Sequence, residues 1–247
     1  MTPPIHHPSL ELLLDYAAGS TGEAAGLALA THLALCPECR EVVAQLESVG
    51  GALLEAIEPA ALPPDSLDNL LARLGEPVQV PDRRSPADAA TLGPVPGAVP
   101  QPLRGYIGQD LESIRWKRVM RGVEQAEVAV DRGRTGNIRA RLLRIAPGVR
   151  VPRHTHAGTE MTLVLAGGFS DGDRQYRRGD FSFCDGTTDH SPVADDDGEC
   201  LCLTVTDAPL RLTGPLMRLL ETAFIDRADN AQARKALEPA VERLRES

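Results

Sequence analysis

Seven of the 27 residues from position 76 to 102 are proline: Pro77, Pro81, Pro86, Pro94, Pro96, Pro100 and Pro102. Proline fixes its own φ, lacks an N–H and biases the preceding residue towards extended backbone, so the stretch reads as a semi-extended tether rather than part of a core. The chain must then fold on either side of it, and the two sides differ in periodicity. On the N-terminal side leucines recur at helical spacing, with Leu10, Leu13 and Leu14 on one stripe that ends at Gly19. Ser20 and Glu23 have capping-box spacing before GLALATHLAL, and a third helix is expected from Pro37 to about Ile57. Asp65 is expected to cap a fourth, carrying Leu67, Leu70, Leu71 and Leu74 at i, i+3, i+4 and i+7. From about 103 to 213, runs such as MTLVLAGGF and CLCLTVT are punctuated by glycine, the pattern of an all-β sandwich or barrel. The tail reads as a helical extension over 214–247, amphipathic through Phe224 and highly charged beyond it. The expected organisation is therefore multidomain α + β, with a helical domain over 1–75, a linker over 76–102, a β domain over 103–213 and the tail.

A chain of 247 residues is long enough for two such cores. Its start, MTPPIHHPSL, has neither the basic nor the apolar segment of a secretory leader, and no apolar run reaches membrane-spanning length. The expectation is a soluble, cytoplasmic protein with no membrane partner. In that compartment five cysteines read as metal ligands, redox-active thiols or buried hydrophobes, not as a disulfide framework. Residues 1–75 hold ten acids against two bases, which is −8 of the formal net charge of −9. Phosphate repels such a surface, so direct nucleic-acid binding is disfavoured. A partner with a basic face, such as the polymerase-binding surface of a transcription protein, suits it.

Two clusters of metal-binding residue types stand out. In HLALCPEC (32–39), His32, Cys36 and Cys39 are spaced by four and three, and Pro37 breaks any continuous helix through them. The chain is expected to end a helix near Leu35, turn at Cys36 and start a new helix whose first turn carries Cys39, where the helix N-terminus favours a thiolate. Three ligands do not close a tetrahedral zinc site. His7, directly before Pro8 at the start of the first helix, is the expected fourth, with the adjacent His6 as an alternative. Zn²⁺ held by His7, His32, Cys36 and Cys39 would be required for the small domain to fold. Substituting Cys36 or Cys39 is expected to unfold that domain and leave the β domain intact.

The second cluster lies in GVRVPRHTHAGTEMTLVLAG (148–167). Strand alternation points His154 and His156 to one side, Glu160 follows a short turn, and His190 comes eleven residues after Gly179. Three histidines and a glutamate make an N₃O site for Zn²⁺, Mn²⁺, Fe²⁺ or Ni²⁺. Cys200 and Cys202, two apart on a strand, and Cys184, on the strand before His190, place three thiols where they could approach this metal. They read either as small apolar core residues or as redox-sensing thiols.

Gly148–Gly167 resembles the first cupin motif position by position, and Gly179–His190 resembles the second in spacing. The second departs in detail, with Asp185 and Thr187 where many cupins have Pro and Gly, and Ala194 in place of a common Asn. His7 with HLALCPEC resembles the zinc-binding anti-sigma domain. Joined by a proline-rich tether, the two are similar to the ChrR family of anti-sigma factors, over the chain to about residue 225 and in strings such as DYAAGS, THLALC and TDAPLR. The resemblance implies an N-terminal zinc-stabilised four-helix anti-sigma domain and a C-terminal cupin β-barrel with a helical tail. It further implies that residues 1–75 sequester an extracytoplasmic-function (ECF)-type sigma factor from RNA polymerase, and that the cupin is needed for release under oxidative signals such as singlet oxygen. His7, His32, Cys36 and Cys39 fall on that family's first metal site, and His154, His156, Glu160 and His190 on its second. From other classes, two readings stand beside it: a cupin metalloenzyme, dioxygenase-like, with an accessory zinc module, and a DNA-binding zinc module with a sensing cupin. Net charge opposes the latter.

Overall fold

The computed structural model describes residues 3–75, 99–107, 111, 114–133 and 136–213. Most of the expected tether (76–98) and the helical extension (214–247) lie outside the described residues. Helix α1 (Leu10–Ala17) starts where Ser9 Oγ accepts the Leu12 N–H, and it ends at Gly19, whose φ of 69° is the left-handed conformation that stops a helix. Helices α2 (Glu23–Leu35) and α3 (Pro37–Glu55) meet at an extended Cys36, with Pro37 in the first turn of α3. That corner follows the sequence expectation. The capping box does not form. Ser20 Oγ turns back to the Asp15 carbonyl, and Glu23 accepts from Tyr106 Oη (3.0 Å) and Asp131 N (2.6 Å), so a tertiary use of the carboxylate wins over the local one. Asp65 precedes α4 (Ser66–Arg73), but its carboxylate accepts from the Asn69 side chain and not from the helix backbone.

A fifth described helix, α5 (Gln101–Ile107), was not foreseen. Pro100 and Pro102 flank its start, where proline's fixed φ fits and its missing N–H has no intrahelical partner to lose. The last prolines of the tract thus open a helix instead of extending a tether.

The strands are all antiparallel. A six-stranded sheet runs in the order β1 (Lys117–Met120), β2 (Val123–Val128), β3 (Arg139–Ile145), β11 (Cys200–Thr206), β5 (Glu160–Ala166), β8 (Phe181–Cys184). Opposite it lie two three-stranded sheets. One has the order β10 (Val193–Ala194), β6 (Gly168–Asp171), β7 (Arg174–Arg177), and the other β12 (Leu210–Leu212), β4 (His154–His156), β9 (Asp189–His190). The cupin-like domain is therefore a sandwich of separate sheets among the described residues, not the closed barrel expected. Closure needs an unbroken ladder, and here the opposing strands are only two to four residues long and are flanked by Pro152, Pro192 and Pro209, which donate no N–H. Gly167, at φ 63°, joins β5 to β6 where the Glu199 backbone approaches too closely for a Cβ.

Alternation along the large sheet explains how the two halves meet. Leu163, Leu165, Leu201, Leu203 and Val205 share a buried cluster with Leu27, Leu29 and Leu33 of α2 and with Leu103 of α5. Val164, Cys200, Cys202 and Ile145 face the other way and pack with Phe169, Tyr176 and Ala194. Both faces are covered, so all seven residues of β11 are buried. Helix α2 is apolar on every side because it is wedged between its neighbouring helices and the sheet. The helical domain is thus docked on the cupin, not only tethered to it.

Two candidate metal centres and an apolar helical face

The bend at Cys36 brings the first cluster together. Ligand atoms of His7, His32, Cys36 and Cys39 all lie within 4.8 Å of one another. His7 Nδ1 sits 3.4 Å from Cys36 Sγ and 3.3 Å from Cys39 Sγ, and Cys36 Sγ also accepts the Cys39 N–H at 3.5 Å. His6 faces elsewhere: its ring lies 4.5 Å from Tyr176, and its Nε2 pairs with the Gln175 carbonyl at 3.1 Å. Of the two neighbouring histidines, His7 is the one placed among the thiols.

His32 supplies the test of fit. Its Nδ1 is 2.8 Å from the Gly179 carbonyl, which can only accept, so Nδ1 carries the proton and Nε2 the lone pair. That Nε2 is buried and has no hydrogen-bond partner. Burial lowers the His32 pKa to about 4 and keeps the ring neutral. A neutral imidazole whose lone pair is aimed at two buried thiols satisfies itself by binding a cation. Burial, with Cys36 beside it, raises Cys39 to about 12, and an ion there would reverse that preference. The donor set fits Zn²⁺.

In the cupin, His154 and His156 project from the same side of β4, and His190 of β9 pairs with His154 across the sheet. His190 Nε2 lies 3.0 Å from His154 Nε2 and 3.1 Å from His156 Nε2. Two nitrogens about 2.1 Å from one ion and at right angles to each other would be about 3.0 Å apart. His154 Nδ1 donates to the Pro152 carbonyl (2.8 Å), and His190 Nδ1 faces Asp171 Oδ2 at 2.6 Å, so both Nε2 lone pairs turn inward. Glu160, opening β5, completes a set whose ligand atoms lie within 4.8 Å of one another. Burial lowers His154 and His156 to about 4 and raises Glu160 to about 7. The two inward lone pairs, His156 Nε2 beside them and a carboxylate fit a divalent ion, and this donor set does not dictate a single metal.

Asp171 was missed in the sequence. It lies 19 residues before its partner on a different strand, and only the β6–β7 hairpin brings it there. Cys184 stands opposite Glu160 across β5 and β8 and is buried, which raises its thiol to about 11. Cys200 and Cys202 face one side, as alternation requires, with their sulfurs 3.5 Å apart in the core. The Cys200 contact and burial hold the Cys202 thiol well above its ordinary range, so it is a protonated thiol and not a reactive thiolate.

The helical domain also carries a bare apolar face. Leu67, Leu70, Leu71 and Leu74 around α4 are 52–74% exposed, and Val49, Leu53, Leu54 and Ile57 at the end of α3 are 60–69% exposed. None of the α4 residues is buried.

Two comparisons with known proteins decide the family. The anti-sigma-E factor ChrR of Cereibacter sphaeroides is 42% identical to this chain over 219 residues, which is 89% of this chain and 97% of the relative. The ChrR cupin-like domain family matches residues 105–209. The chain belongs to the ChrR family of anti-sigma factors. The crystal structure of Rhodobacter sphaeroides SigE in complex with the anti-sigma ChrR is similar at 39% identity and a TM-score of 0.68, covering 82% of this chain and 98% of that one. Such a match spans both the helical and the cupin-like parts of a ChrR family member.

Proposed function

We propose that this chain is a cytoplasmic anti-sigma factor that binds an ECF-type sigma factor through residues 1–75 and keeps it from RNA polymerase. The observation that carries this reading is the exposed leucine face of α3 and α4. Both helices present exposed large apolar side chains on an acidic domain, which is the kind of surface that marks a protein-binding site. The kinship with an anti-sigma factor crystallised on SigE supplies the partner class. Kinship with a regulator also favours this reading over a cupin metalloenzyme. Zn²⁺ at His7, His32, Cys36 and Cys39 ties the segment before α1 to α2 and α3 as one unit, so the binding surface depends on it. A second divalent ion, best Zn²⁺, sits at His154, His156, Glu160 and His190. Release follows oxidative damage sensed at the cupin, singlet oxygen being the stress in view, with the imidazoles as targets; Cys184, Cys200 and Cys202 are buried and rank behind them.

The test is transcription in vitro with the ECF-type sigma factor that co-purifies with the chain from its native host. The wild type should inhibit at stoichiometric concentration. The double variant Leu70→Asp/Leu71→Asp should keep its zinc and its helicity and lose inhibition by at least about a hundredfold, as expected for charging the centre of an apolar interface. A zinc-loaded wild type that fails to inhibit overturns the reading.

A further inference from the structure

The N-terminal metal cluster is not self-contained. Both of its imidazoles are positioned by the cupin. His7 lies near the end of an arm, residues 3–9, with no regular secondary structure of its own. The cupin residue Asp180 holds that arm: its Oδ1 accepts the backbone N–H of Ile5 (2.7 Å) and of His6 (3.0 Å), and its Oδ2 accepts the Arg177 N–H (2.7 Å). Asp180 is 2% exposed, and three backbone donors are what allow a carboxylate to be buried there. Next to it, the Phe181 N–H donates to the His6 carbonyl (3.0 Å), which lays the arm alongside the start of β8. On its other side Gly179, at φ 93°, leaves room for Pro4, whose Cγ would lie 2.6 Å from a Cβ there. The Gly179 carbonyl is the acceptor that orients His32. The Phe181 ring meets the His32 ring edge-on at 5.8 Å.

We infer that Asp180, with the backbone of Gly179 and Phe181, is the outer shell of the N-terminal metal site. Asp180 is then a positioning residue for His7, and zinc retention in the anti-sigma domain depends on the cupin. The inference rests on reading His7, His32, Cys36 and Cys39 as a metal site. It also supplies a route between the two centres. Strand β8 runs from Phe181 to Cys184, which stands opposite Glu160. A shift of β8 at the cupin cluster therefore moves the anchor of the arm directly. Coupling of this kind is reciprocal, so emptying the first site should loosen residues 177–181 as well.

The experiment uses the full chain loaded with cobalt(II), whose thiolate charge-transfer absorption reports only the cysteine-bearing site. Decay of that band on adding excess chelator is compared between the wild type, Asp180→Asn and the exposed control Asp173→Asn. An amide offers one acceptor oxygen where three N–H groups need two, so Asp180→Asn should release the ion roughly tenfold faster or more, in the range seen when an outer-shell partner is lost. Circular dichroism and the cupin ion should be unchanged, and Asp173→Asn should behave as wild type. Equal decay in Asp180→Asn and the wild type would overturn the inference. A wild type that shows no thiolate band would instead remove the metal reading beneath it. Should Asp180→Asn not fold, hydrogen exchange in the wild type gives a second readout: stripping the ion with chelator should speed exchange of the Arg177 and Phe181 amides, which bond to Asp180 and to the arm, and unchanged protection overturns the inference equally.

Discussion

At the scale of single residues, ligands and their supporters differ in how they can be read. His154, His156 and Glu160 were legible because one ion constrains side chains that a strand and a short turn already hold close together. Asp171 and Asp180 were not, because their partners lie 19 and about 175 residues away and a lone aspartate has no motif. Asp171→Asn should nevertheless weaken cupin metal affinity roughly 10- to 100-fold, since His190 would lose the carboxylate that fixes its tautomer. Competition with a chelator of known affinity measures this, and an unchanged affinity would place Asp171 outside the site's function. Glu160 adds a pH dependence. Its pKa in the fold, about 7, is raised by burial above the ordinary 4.5, so in the metal-free fold it contributes stability at low pH that is lost as pH rises through about 7. An ion needs the carboxylate, so apparent affinity should fall as pH drops below about 7, while His154 and His156, held to about 4, offer no competing proton until far lower. Titrations at about pH 8 and about pH 6 giving equal affinity would show that Glu160 is not a ligand.

At the scale of elements, burial separates two kinds of leucine that the sequence makes look alike. The α2 leucines and the α4 leucines both recur at helical spacing, yet Leu29 is fully buried and Leu71 is 52% exposed. Leu29→Ala should cost about 2–5 kcal/mol, because Leu29 is fully buried in the cluster between α2 and the six-stranded sheet and its removal leaves a cavity there. Leu71→Ala should cost within about 0.5 kcal/mol of stability while weakening sigma inhibition. Thermal unfolding alongside in vitro transcription reads both, and a large stability loss at Leu71 would mean that α4 packs on its own domain. Helix ends were legible where a backbone constraint sits at one residue, as at Gly19 and Pro37. The capping box failed because Glu23 has better partners in α5 and the cupin, which no local window contains. Strands β9 and β10, two residues each, exist only through pairing with β4 and β6 and leave no periodicity to find.

At the scale of the whole molecule, the proline tract suggested two independent units, and the buried cluster that runs from Leu13 in α1 through α2 to Leu203 in β11 contradicts that. Sequence periodicity shows that a face is apolar without saying what covers it, which is why the docking was illegible. The helices cover one face of the six-stranded sheet, so the cupin as it stands includes α2 in its core. Substituting Cys39 should therefore not spare the cupin, contrary to what the sequence alone suggests. Cys39→Ala removes a ligand of the site that ties His7, α2 and α3 together. Once the helical domain loosens, Leu163, Leu165, Leu201 and Leu203, all within 5% exposure, lose their cover. At about 1.5–3 kcal/mol for each large apolar side chain uncovered, even two of them are worth several kcal/mol. A kcal/mol shifts the midpoint of a domain of roughly 110 residues by about 4 °C. The cupin transition in Cys39→Ala should then fall by at least about 5 °C, followed by the near-ultraviolet signal of Trp116, which packs against Arg144 of β3 at 4.0 Å. A cupin that melts at the wild-type temperature while the helical domain is unfolded would show that the docking contributes no stability, and that the two halves communicate through the tether alone.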